Sequence, residues 1–221
     1  MDFEGAIFDV DGTLVDSMGV WHQVDADFFQ QYGAELPADY SAKAARMGAW
    51  QTAEYTISLL GLSYTPQELI DIWNAMVNEE YLYRVPLKPY AKEYLEQLKK
   101  KGISMAVVTA LFPELYEPVL KRTGVYEFFD VFLSSGQMKL EKSSPEIFLL
   151  AARQLSVSPS SCVVFEDVIS GVLGAKAAGM TAVGVYDFWN QTDQALLKDR
   201  ADRYIIDFSE LLQEKRPGTV L

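Results

Sequence analysis

The stretch FDVDGTLVDS, residues 8–17, decides how the chain is read. It follows the apolar Ala6 and Ile7, sets Asp9 and Asp11 two residues apart, and continues through Gly12 and Thr13 to another acid, Asp16. A short apolar strand that ends in two close carboxylates carries a repulsion that something else must offset. Further apolar runs fall at 104–108, 131–133, 163–165, 182–185 and 204–206. Most are continuous rather than alternating, as in strands covered on both faces.

From Pro89 onward, helical patterns separate these runs. Pro89 opens one helix with Tyr90, Tyr94, Leu95 and Leu98 on a single face; Lys99, Lys100 and Lys101 sit near its end, and Gly102 closes it. Pro145 opens a second, which runs to Leu155, and a third spans about 170–178. Residues 113–123 also read as helix, with Pro118 inside it. Strand–helix alternation predicts a parallel α/β sheet. Between about 18 and 85 the alternation stops: 24–29, 52–60 and 68–77 carry apolar residues at helical spacing and no strand pattern. The expected architecture is a Rossmann-like parallel α/β core, residues 1–17 and 87–221, with an all-helical cap inserted at 18–86.

The 221 residues suit one core with a smaller insert, and 49% hydrophobic with 23% charged residues suits a globular chain. The formal charge of −12 disfavours nucleic acid and anionic membranes as partners. One cysteine, Cys162, lies in an apolar run and reads as a buried strand residue; a chain with a single cysteine forms no internal disulfide. The N-terminus lacks a signal-peptide pattern, no run is long enough to span a membrane, and a cytoplasmic monomer is expected.

Open parallel sheets bind ligands beyond the carboxyl ends of their strands. Those ends carry Asp9 and Asp11, Thr109 and Ala110, and Glu166 and Asp167, while Lys142 lies in the loop before the helix opened by Pro145. Acid pairs from separate strands call for a cation, and hard carboxylates favour Mg²⁺. A carboxylate beside it can attack phosphorus, and a second acid two residues on can exchange protons with the leaving oxygen and with water.

In order, Asp9-Val10-Asp11-Gly12-Thr13, Thr109, Lys142 and Glu166-Asp167 resemble the four motifs of the haloacid dehalogenase superfamily. The helical insert resembles that family's cap of the first type. The stretch 165–180, FEDVISGVLGAKAAGM, is similar to the fourth motif of its phosphoglycolate phosphatase and β-phosphoglucomutase branch. The resemblance implies Asp9 as nucleophile and Mg²⁺ ligand, and Asp11 as general acid/base with its carbonyl on the metal. It implies Thr109 and the Ala110 N–H as phosphoryl holders, Lys142 as partner of Asp9 and phosphate, Asp167 as metal ligand, and Glu166 as an outer or water-mediated one. Lys142 is preferred to Lys139 for its spacing to Pro145, and Val168 stands where relatives often have Ser.

Relatives often carry His ten residues after the acid/base; here that position is Trp21 and His22 follows. The expected function is a Mg²⁺-dependent phosphatase of a small phosphorylated metabolite. A phosphosugar mutase and a non-catalytic binding protein on the same scaffold are the alternatives. Arg46 and Trp21 are the candidates for substrate contact. For Trp21, Trp50 and Trp73 helix spacing favours core packing over lining a pocket; Asp16 and Ser17 read as a helix cap before substrate contact, and Gly171 and Gly174 as sites of close helix–sheet approach, not phosphate wrapping.

Overall fold

The structure, a computed structural model, describes residues 2–44, 47–190 and 193–212. Six parallel strands form one sheet: β1 (Gly5–Phe8), β2 (Ser104–Thr109), β3 (Val131–Ser134), β4 (Cys162–Glu166), β5 (Thr181–Val185) and β6 (Arg203–Ile205), in the order β3-β2-β1-β4-β5-β6. The chain steps outward from β1 to β3, then crosses back to place β4 on the other side of β1. The strand order therefore reverses between β1 and β4, which is where an open α/β sheet leaves a crevice.

Alternate residues of each strand feed opposite faces. Ala6, Phe8, Val107, Phe165 and Val183 belong to one core, while Ile7, Ala106, Val164 and Ala182 belong to the other. In the first core Phe8 stacks on Phe165, with ring centroids 4.5 Å apart, and Tyr94, Phe129 and Phe208 surround the pair. Helices α5 (Ala91–Lys100) and α6 (Pro113–Arg122) cover this face. The short α7 (Ser135–Met138) follows β3, and α8 (Glu146–Leu155) and α9 (Ile169–Ala177) cover the opposite face. Helices α10 (Gln194–Arg200) and α11 (Ser209–Leu212) flank β6 in sequence.

Between β1 and β2, before α5, lie α1 (Met18–Gln31), α2 (Tyr40–Ala44), α3 (Ala49–Leu60) and α4 (Pro66–Tyr83). The α4 start is fixed by a capping box: Thr65 Oγ1 accepts from the Glu68 N–H at 3.3 Å, and the Thr65 N–H donates to Glu68 Oε2 at 2.7 Å. Their buried residues, among them Phe28, Tyr40, Leu69 and Val77, are continuous with the first core rather than forming a separate one. The two chain crossings into this insert pair with each other. Val15 bridges Leu87 in antiparallel sense, the Asp16 N–H donates to Pro86 O at 2.9 Å, and the Lys88 N–H donates to Leu14 O at 2.8 Å. Among the described residues no helix is long and apolar enough to cross a membrane.

Two local expectations change. Tyr90 is not on the buried face of α5: it precedes the helix in a left-handed conformation (φ 62°) and is 50% exposed. Ile206 lies outside β6 and is 56% exposed. The helix expected at 113–123 is present as α6, with half-buried Pro118 inside it. Cys162 is a buried strand residue, as expected.

Close approach of α9 to the Lys142 loop depends on one missing side chain. A Cβ on Gly174 would lie 2.0 Å from the Lys142 carbonyl oxygen, which belongs to backbone and has nowhere simple to go. Gly174→Ala gains about 1 kcal/mol of helix propensity and costs roughly 1–3 kcal/mol or more of overpacking. The clash wins, so urea unfolding should report a net loss of stability; a net gain would contradict the packing described.

Candidate active site

The β1–β4 register pairs Phe8 with Phe165, which brings Asp9 beside Glu166, and the Asp9 N–H donates to Phe165 O at 3.1 Å. One ligand oxygen each from Asp9, Glu166 and Asp167 lie within 4.8 Å of one another, and all three residues are buried. Lys142 Nζ stands 2.9 Å from Asp9 Oδ1 and also pairs with Glu166 Oε1. Lys139, the alternative lysine, lies elsewhere, with its ammonium 3.9 Å from the centroid of the Trp50 ring.

Each carboxylate is held from a different side. Glu166 Oε2 accepts from the Val168 N–H at 3.1 Å, and its other oxygen occupies the space a Cβ on Gly171 would fill. Asp167 accepts from Thr13 Oγ1 at 3.1 Å and from the Asn190 amide. Gly12 is needed twice in the loop above: its φ is +70°, and a Cβ there would meet Asp167 Oδ2 at 2.2 Å. Beneath Asn190, buried Asp187 pairs with Lys88 Nζ at 2.5 Å and accepts from the Trp189 N–H at 2.8 Å.

Burial pushes the Asp167 carboxyl well above its ordinary range, and the charges of Glu166, Asp9 and Asp187 add to that. Glu166 is raised by burial against the opposing pull of Lys142. Burial works against the Lys142 charge, but Asp9 and Glu166 prevail and hold its ammonium above the usual value. A cluster of buried oxygen donors with one neighbouring ammonium fits a hard divalent cation such as Mg²⁺, which takes carboxylate and water ligands.

Asp11 has a different setting. Its carboxylate accepts from Ser17 Oγ at 2.6 Å, from Trp21 Nε1 at 3.2 Å and from the Tyr81 hydroxyl. Trp21 Nε1 also lies 2.7 Å from the Tyr81 oxygen. Burial raises the Asp11 carboxyl to about 6; the Asp9 charge adds to this and the three donors oppose it. Two of those donors come from the insert, on α1 and α4, so the insert's helices fix where this acid points.

Thr109 is fully buried at the end of β2, where its Oγ1 accepts from the Leu111 N–H at 3.1 Å. Ala110 follows, with its carbonyl packed against Gly136. A cavity of about 240 Å³ opens from Asp9, Thr109, Ala110 and Lys142 and runs up between the insert helices.

The structure thus brings Asp9, Asp11, Thr109, Ala110, Lys142 and Asp167 to one cavity, with Glu166 immediately behind it. Arg46 lies outside the described residues. Ser17 was expected to cap α1, but its side chain makes no cap hydrogen bond and turns to Asp11 instead, and Asp16 lies 3.8 Å from Lys88. Trp21 and Trp73 line the cavity as well as packing, and Trp50 reaches across to donate to Gly136 O at 3.0 Å. Gly171 and Gly174 serve close approach. Sequence reading named Thr13 within the first motif without its contact to Asp167, and two residues were missed, Tyr81 and Asn190. The first contacts a residue 70 positions away and the last one 23 away, and neither sits in a local pattern.

The model for the haloacid dehalogenase-like hydrolases matches residues 3–179. The chain is 32% identical over 185 residues to the fructose-1-phosphate phosphatase YqaB of Escherichia coli (strain K12), covering 83% of this chain and 96% of that one. It is 31% identical over 184 residues to a phosphorylated carbohydrates phosphatase of Thermotoga maritima, covering 81% and 83%. In fold it is similar to the crystal structure of CbbY from Rhodobacter sphaeroides, with a TM-score of 0.79 at 23% identity over 95% and 96% of the two chains. With its acid-tipped strands at the sheet's reversal point and a family match over most of its length, the chain belongs to the haloacid dehalogenase-like hydrolases.

Proposed function

We propose that the protein is a Mg²⁺-dependent phosphatase of small phosphorylated carbohydrates that works through an aspartyl-phosphate on Asp9. The carrying observation is the pairing of two carboxylates with opposite surroundings. Asp9 lies 2.9 Å from an ammonium, whereas Asp11, two residues on, is raised to about 6 at the mouth of the same cavity. Asp9, with the ammonium beside it, is placed as the nucleophile; Asp11 can hold and release a proton near neutrality. The named activities of the E. coli and T. maritima relatives support a carbohydrate leaving group.

In the first step a carboxylate oxygen of Asp9 bonds to phosphorus as the ester P–O bond breaks, and Asp11 gives its proton to the departing oxygen. Lys142, Thr109 and the Ala110 N–H hold the phosphoryl oxygens while charge redistributes. In the second step Asp11 takes a proton from water, the water oxygen bonds to phosphorus, and the bond to Asp9 breaks, restoring the carboxylate. Asp9, Asp167, the Asp11 carbonyl and, directly or through water, Glu166 would hold Mg²⁺, which supplies charge neutralisation to the phosphoryl group.

We read the paired crossings at Val15 and Leu87 as the joint between a core of 1–17 and 87–221 and a cap of 18–86. Closure of that joint excludes water, and Trp21 and Tyr81 then aim Asp11. One chain supplies both walls of the cavity, so a monomer suffices.

Phosphate release from a panel of sugar phosphates, hexitol phosphates, phosphoglycolate and nucleoside monophosphates should require Mg²⁺ and stop with chelator. Asp9→Asn should lower kcat by about a thousandfold or more; release that survives in the variant would show a different nucleophile. Tyr81→Phe removes one hydrogen bond from a charged acceptor, so kcat for a sugar phosphate should fall about tenfold. The burst of p-nitrophenol from p-nitrophenyl phosphate, whose leaving group needs no proton, should fall less. A rise in KM at unchanged kcat would mean that Tyr81 acts on binding instead.

A further inference from the structure

The loop that follows β5 grips Asp167, and its own anchors lie away from the reacting groups. The Asn190 side-chain amide donates to Asp167 Oδ2, while Thr13 Oγ1 donates to Oδ1, so each oxygen of that carboxylate is held by a neutral donor. Asn190 is presented by a turn that closes on Asp187. The Trp189 N–H donates to Asp187 Oδ1 at 2.8 Å, and the Asn190 N–H donates to Asp187 O at 3.3 Å. The second carboxylate oxygen of Asp187, whose side chain is fully buried, accepts from Lys88 Nζ at 2.5 Å. Lys88 in turn stands at the exit from the insert. Its N–H donates to Leu14 O at 2.8 Å, and its ammonium lies 3.8 Å from Asp16 at the entrance. A continuous set of contacts therefore runs from the paired crossings, through Lys88, Asp187 and Asn190, to Asp167.

Each link has a physical reason. A neutral donor fixes the orientation of a carboxylate while leaving its charge to a metal, and outer hydrogen bonds of this kind set how well a ligand binds. A buried carboxylate such as Asp187 needs a partner, and Lys88 is that partner. Without it the turn loses the charge that holds Asp187 in place. The loop also meets the insert: the Trp189 ring centroid lies 4.7 Å from that of His22, and a Cβ on Gly19 would come 3.0 Å from Trp189 Nε1.

We propose that Asn190, Asp187 and Lys88 are positioning residues that orient Asp167 for a divalent cation, and that Lys88 acts on the cation through the 187–190 loop rather than through its own charge. The inference rests on the metal reading of Asp9, Glu166 and Asp167 and adds the residues that hold one of those ligands from behind.

The test is Mn²⁺ binding to the substrate-free protein, read from the electron paramagnetic resonance signal of the free ion, with Mg²⁺ as competitor. It compares wild type, Asn190→Ala, Lys88→Met and the double variant. Charge and position give opposite signs for Lys88→Met: loss of a nearby cation acting by charge alone tightens metal binding, whereas loss of the anchor loosens it. Asn190→Ala and Lys88→Met should each weaken binding of both ions by about tenfold. The double variant should bind about as weakly as Asn190→Ala alone, because Lys88 then has nothing left to position. Asn190 belongs to neither apolar core, so Asn190→Ala tests the last link even where Lys88→Met folds poorly. Tighter binding in Lys88→Met, unchanged binding in Asn190→Ala, or additive losses in the double variant would overturn the proposal. A wild type that binds neither ion would overturn the metal reading on which it rests.

Discussion

Three buried carboxylates crowd the reversal point of the sheet with one lysine between two of them, and the surrounding architecture is arranged around that fact. Like charges about 4 Å apart cost on the order of 4 kcal/mol even at an effective dielectric of 20. Three such pairs rival the ~5–15 kcal/mol that stabilises a whole domain. Lys142 reaches Asp9 and Glu166, while Asp167 relies on neutral donors, Thr13 and Asn190. The remainder is met by a raised proton affinity, which is the state a divalent cation would displace. Gly12, Gly171 and Gly174 are the steric counterpart: each gives up a Cβ so that a charged or carbonyl oxygen of this cluster can sit against the backbone.

Asp11, the acid/base of the proposed mechanism, is separated from this crowd by its fastening. Asp11 is two residues from Asp9, yet its three donors are Ser17, Trp21 and Tyr81, at or within the insert. The position of the Asp11 carboxylate is thereby tied to where the helices sit. A second tie lies across the cavity, where Trp50 of α3 donates to Gly136 O and Lys139 covers its ring. Arg122 adds a third, donating from α6 to the Val85 carbonyl at the exit from the insert. The buried side chains of the insert are continuous with one core face of the sheet, and the cavity lies between the two.

Legibility in the sequence followed the range of the interactions. The strands and the acids at their ends were readable because each is a local pattern: a short apolar run, then a charge. Sheet order then brought Asp9, Lys142, Glu166 and Asp167 together, as strand-end logic expects for residues 9, 142, 166 and 167. Tyr81 and Asn190 were not readable, since a tyrosine in an amphipathic helix and an asparagine in a loop look the same whether or not they touch a distant carboxylate. Ser17 was misread for the opposite reason: its local pattern is that of a helix cap, but its side chain turns away from the helix N–H groups and donates to the part-buried Asp11 carboxylate. Tyr90 was misread because helical spacing extends one residue past the point where the backbone turns left-handed. Trp21 and Trp50 follow helix spacing, but their indole N–H groups reach Asp11, Tyr81 and the Gly136 carbonyl, and periodicity says nothing about those.

The central claim is that Asp9 bonds to phosphorus. The most direct measurement is acid quench of the enzyme during turnover of a phosphate-labelled sugar phosphate with Mg²⁺, followed by peptide mapping. The account predicts label on the peptide that contains Asp9, with its yield rising to a steady level within the first turnover and no label in Asp9→Asn. Turnover at full rate with no labelled peptide, or label on another residue, would contradict it.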